Sequence, residues 1–146
     1  MNELTLEKAN MIIDAVLDKA REMNLPPLSV AILDAGGHLK ALQREDGQTF
    51  LRVQVCQAKA WGSLALGIDS SLIAERYEQG ERQQGFIGAL NAMSGGRLIP
   101  LPGGVLIKDR SGATIGAAGV AGAVSEEDEK CALAGIMAAG FNTDGD

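Results

Sequence analysis

A chain of 146 residues has the length of one domain and can bury enough surface to need neither disulfides nor a structural metal. Its net charge of -6, with no run of basic residues, speaks against nucleic acid, which demands a concentrated basic surface. No apolar run approaches the ~20 residues of a membrane span, and the start, Met1-Asn2-Glu3-Leu4, lacks the basic and apolar regions of a secretory signal. The expectation is a cytoplasmic chain with no nucleic-acid and no membrane partner.

Hydrophobic residues make up 46% but aromatics only 3%, beside 19 glycines. Such a core is filled by aliphatic side chains and close backbone contacts. Cys56 and Cys131 are far apart and show no CxxC spacing, so they read as buried free thiols.

From Leu6 to Ala20 apolar residues recur at helical spacing, with Thr5 as the cap and an end near Asn24, before Pro26 and Pro27. Leu28 to Asp34 is too short and too evenly apolar for a helix, and reads as a strand covered on both faces. Gly36-Gly37 suits a two-residue hairpin turn; His38 to Arg44 alternates and forms the returning strand. Val53, Cys56, Ala60 and Leu64 fall on one face of a long helix. Ser70 caps a shorter one through Tyr77. A third helical piece, Gln83 to Met93, carries Gly85 and Gly88 as breaking points. Leu98 to Pro102 is short and extended, with prolines that suit an edge strand or a loop. Val105 to Ile107 and Thr114 to Val120 are strands joined by the turn Asp109-Arg110-Ser111-Gly112. Ser125 and Asp128 form a capping-box-like start to a last helix that ends at Gly140. The order is helix, two strands, helices, three short strands, helix: an antiparallel sheet in an α/β/α sandwich. A single domain over residues 1–141 is expected, followed by a polar, frayed tail over 142–146.

Several places could carry chemistry. The hairpin end holds Asp34, His38, Arg44 and Asp46; a lone histidine can ligate a metal or haem iron or move protons. Arg44 could hold a carboxylate or propionate, or simply pair with Asp46 on the surface. Gly103-Gly104 permits a close approach to an anion or a flat ligand, or bends the chain between strands. The strand Gly116 to Gly122 is so poor in side chains that a helix, a second subunit or a planar ligand must pack close against it. Lys59 and the carboxylates of Asp128 and Glu129 could form a buried polar network at a helix start. No Ser/His/Asp order, HExxH or second histidine is present, so a binding module is expected more readily than an enzyme.

The ordered segments Val30 to Leu39, Arg44-Glu45-Asp46-Gly47, Ala58-Lys59-Ala60, Leu101 to Val105, Ile115 to Gly122 and Glu127-Asp128-Glu129 resemble the GlcG/HbpS-like haem-binding family. They also resemble the C-terminal domain of PduO-type corrinoid adenosyltransferases. The resemblance implies a profilin-like α/β/α sandwich (α/β, α+β) with a five-stranded antiparallel sheet flanked by helices, and self-association into a homo-oligomer. It further implies a small-molecule or cofactor-binding module for haem or another tetrapyrrole, accessory to glycolate, diol/glycerol or cobalamin-linked metabolism. The pocket expected from it combines His38, Arg44, Asp46, Lys59, Gly103 and Gly104, with His38 as the metal ligand if haem is bound. Two alternatives stand beside it: an enzyme acting on a small hydroxy-acid or diol-derived metabolite with Lys59 and Asp128 in acid–base work, and a purely structural assembly subunit.

Overall fold

The computed structural model describes residues 3–145; residues 1, 2 and 146, at the ends of the expected domain and tail, lie outside it. Helix α1 (Leu6–Glu22) starts where the Thr5 hydroxyl accepts the Lys8 N–H, and closes on Met23 before the prolines. Strands β1 (Ser29–Asp34) and β2 (Leu39–Arg44) follow. Their turn is longer than expected and spans residues 35–38, and only Gly37 of the glycine pair takes a positive φ, 84°. Three helices come next: α2 (Leu51–Leu66), α3 (Ser70–Tyr77) and α4 (Glu81–Met93). Helix α4 runs unbroken through Gly85 and Gly88, and Asp69, not Ser70, is the N-cap of α3. Strands β3 (Gly104–Lys108) and β4 (Thr114–Ala121) and helix α5 (Ser125–Ala138) complete the fold.

The sheet is antiparallel in the order β2-β1-β4-β3. It has four strands, where five were expected. Residues 98–101 form no strand: Leu98 inserts among Ile73 and Ile87 of the α3 and α4 helices. The edge of β3 that a fifth strand would use is already occupied. Its outward N–H groups are taken by the Ser70 hydroxyl (to Gly104, 2.7 Å), the Asp69 carboxylate (to Leu106, 2.9 Å) and the Asn142 carbonyl (to Lys108, 2.8 Å). The same Asn142 bridge, with an ion pair from Lys108 to Asp144 at 3.6 Å, ties down a segment expected to fray.

Period-two alternation sorts each buried strand between two helix layers. Val30, Ile32, Val105, Ile107, Ala118 and Val120 face α1 and α5, where Ile12, Ile13, Val16, Cys131 and Ile136 fill the larger core. Ala31, Leu33, Leu106, Ala117 and Ala121 face Cys56 and Ala60 of α2. That second face is built of small residues because α2 lies almost on the sheet: a Cβ at Gly119 would enter the Cys56 carbonyl, and one at Gly104 the Lys59 carbonyl. The glycine-rich strand is therefore the bed of a helix.

Candidate functional site

The six residues expected to share a pocket lie in three places. His38 sits in the β1–β2 turn, while Arg44 and Asp46 lie at the far end of β2, ~20 Å away at ~3.3 Å per residue. Both Arg44 and Asp46 are exposed. Lys59, Gly103 and Gly104 are buried against one another, so the expected pocket is closed at that end. Sequence proximity grouped His38 with Arg44, but an extended strand carries its two ends apart.

The Lys59 end holds a buried ion pair. Its Nζ donates to Asp128 Oδ2 at 3.0 Å and to the Val120 carbonyl at 2.9 Å, and both side chains are 1% exposed. Asp128 Oδ1 accepts the Ala123 N–H at 3.0 Å. The expected capping box at Ser125 does not form, because this carboxylate turns back to Lys59 and the loop before the helix. Gly103 gives the lysine stem its room: a Cβ there would stand 2.8 Å from Lys59 Cδ. Burial raises the Asp128 carboxyl and lowers the Lys59 ammonium, with their mutual attraction opposing both shifts. Burial likewise pushes Cys56 up to about 12 and Cys131 up to about 11, and both thiols are free, as expected.

Accessible polar chemistry gathers at the other end of the sheet, in two grooves flanking the β1–β2 turn. The first, about 800 Å³, is lined on the α1 side by Leu4, Ala35, His38 and Ile115. His38 is 81% exposed there and its Nδ1 lies 3.3 Å from Asp34 Oδ1. The same oxygen accepts the N–H groups of Gly36 and His38, each at 3.0 Å. Those bonds, led by the one from His38, hold the Asp34 carboxyl below its ordinary value. Asp34 thus fixes the turn and stands beside the imidazole. The second groove, about 420 Å³, lies on the α2 side between Leu39 and the face of α2 formed by Gln54, Gln57, Ala58 and Trp61. Sequence reading passed over it, although those four residues recur at i, i+3, i+4 and i+7 and so mark one helix face.

Among the described residues, no group of three or more His, Cys, Asp or Glu side chains could hold a metal ion. No described helix is long and apolar enough to cross a membrane.

Four antiparallel strands between two helix layers, with open grooves beside one hairpin turn, define a small three-layer α+β domain. The chain belongs to the HbpS-like family: the model of that family, described as haem degrading protein HbpS-like, matches residues 4–137. Among solved structures it is similar to ORFY of Klebsiella pneumoniae, with 26% identity, a TM-score of 0.84, and coverage of 95% of this chain and 92% of that one. A double mutant of HbpS from Streptomyces reticuli is 27% identical, with a TM-score of 0.76 over 94% of this chain and 87% of that one. The haem complex of PduOC shares the fold, with a TM-score of 0.84 at 23% identity over 97% and 98% of the two chains. A comparison with curated proteins finds no match.

Proposed function

We propose that this chain is a tetrapyrrole-binding module, with haem as its first candidate ligand and His38 as the axial nitrogen donor. The observation that carries the reading is the His38–Asp34 pair in an open groove. A carboxylate beside one ring nitrogen orients an imidazole, an arrangement metal-bound histidines commonly have. Leu4, Ala35 and Ile115 supply the apolar wall a porphyrin edge needs. The residues present therefore fit the group. Bound haem would supply a redox-active iron, and the chain would hold it through the His38 nitrogen and the apolar wall.

The family's description as haem degrading and the existence of a haem complex of PduOC support this choice of ligand. The place in metabolism follows the resemblance only: an accessory to glycolate, diol/glycerol or cobalamin-linked chemistry. The rival, an enzyme using Lys59 and Asp128, is not favoured, since a pair 1% exposed on each side meets no substrate. We further propose that the chain acts as a homo-oligomer; Phe50 at 82% exposure and Leu51 at 56% leave an apolar step at the start of α2.

The test is a hemin titration of the purified protein followed in the Soret region, wild type against His38→Ala. A saturable, stoichiometric band in the wild type that is lost or strongly shifted in the variant supports the assignment. A non-saturating change in the wild type removes haem as the ligand. An identical band in the variant removes His38 as its donor.

A further inference from the structure

The groove on the α2 side of the turn plays no part in the reading above. Its volume, about 420 Å³, falls within the range of small organic ligand sites. Leu33 and Leu39 give it an apolar floor, the half-buried Trp61 a flat wall, and Gln54 a neutral polar rim. Arg97 closes one side with its guanidinium 5.7 Å from the Trp61 ring centroid.

Among the described residues no carboxylate pairs with Arg97, a condition it shares with most of the chain's arginines; Arg21, matched by Glu45 at 3.2 Å, is the exception. What sets Arg97 apart is its place beside the indole in the groove, with its edge N–H donors available to a ligand. Gly37 keeps the indole open from the turn side: a Cβ there would come to 3.3 Å from its Cδ1 and Nε1.

A guanidinium fork beside an aromatic wall and an apolar floor matches one chemical class. We propose that this groove binds a small carboxylic acid with a flat apolar body. Its carboxylate takes a bidentate pair from Arg97, and its body lies against Trp61 and Leu39. A neutral analogue of the same shape keeps only the apolar contacts. A carboxylate without the flat body keeps only an exposed ion pair, which is weak.

Trp61 is the sole tryptophan, so its indole N–H resonance reports this groove alone. We would titrate ¹⁵N-labelled protein with benzoate, benzyl alcohol and acetate. Expected is a saturable benzoate shift of the Trp61 signal, with benzyl alcohol at least about tenfold weaker through loss of the charge-assisted pair, and acetate weaker by a similar factor through loss of the apolar contacts with Trp61 and Leu39. Arg97→Gln should weaken benzoate by a similar factor and Arg97→Lys by less, since lysine keeps the charge but not the fork. Arg82→Gln, removing the same charge at the opposite end of α4, should leave the affinity unchanged. The absence of a saturable benzoate shift overturns the proposal. So does equal binding of benzyl alcohol, or a benzoate affinity indifferent to Arg97→Gln.

Discussion

Lys59 shows how one side chain can be decisive without reaching solvent. Its ammonium, the Asp128 carboxylate and the Val120 carbonyl form a closed polar unit in the interior of the molecule. Removing one partner of such a pair strands the other. Lys59→Met should therefore cost about 3–5 kcal/mol, whereas Lys59→Met combined with Asp128→Leu should recover much of that loss. The pH dependence has a definite sign. Burial already raises Asp128 above its ordinary 3.8, and loss of the ammonium raises it further. A folded state that holds this proton more tightly than the unfolded chain is favoured most below the unfolded value, and that advantage is lost as pH rises through the folded one. Denaturant midpoints of Lys59→Met should thus fall from acid to neutral pH by more than those of wild type. A parallel profile would show that Asp128 finds another partner.

Helix α2 depends on what the strands beneath it lack. At Gly119 and Gly104 the helix backbone occupies the space of a side chain. Gly119→Val should displace α2 and destabilise by more than about 3 kcal/mol. Gly85 and Gly88 of α4 are the opposite case, since a Cβ at either meets nothing within 4 Å. Gly85→Ala and Gly88→Ala should each stabilise by about 0.5–1 kcal/mol through helix propensity alone. Thermal melts of the three variants give the comparison; a Gly119→Val protein as stable as wild type would mean that α2 can shift. Glycine is the same letter in both strings, and only the neighbouring backbone separates the two roles.

The open side of the sheet is β2, because β3 is sealed by Ser70, Asp69 and Asn142. With Phe50 and Leu51 also exposed at the start of α2, a second copy of the chain is the proposed cover. Sedimentation should show a dimer or larger species, and Phe50→Asp should shift it toward monomer with little change in melting, as the side chain is not part of the core. A monomeric wild type would count against the oligomer.

Apart from the strand expected at 98–102, the order of the elements, the two-sided burial of β1, the turn at Asp109 and the cap at Thr5 were legible in the residues themselves, because periods of 2 and 3.6 record which faces are apolar. The polar partnership of Lys59 with Asp128 was an open possibility from the residue types alone. Their meeting needs the chain to close over 69 residues. The absence of a fifth strand, the filling of the Gly103–Gly104 bend by Lys59, and the Trp61–Arg97 wall were decided by tertiary structure. In each, the deciding fact is what lies across from a residue. A linear pattern states that a face is covered, and only the folded chain states by what.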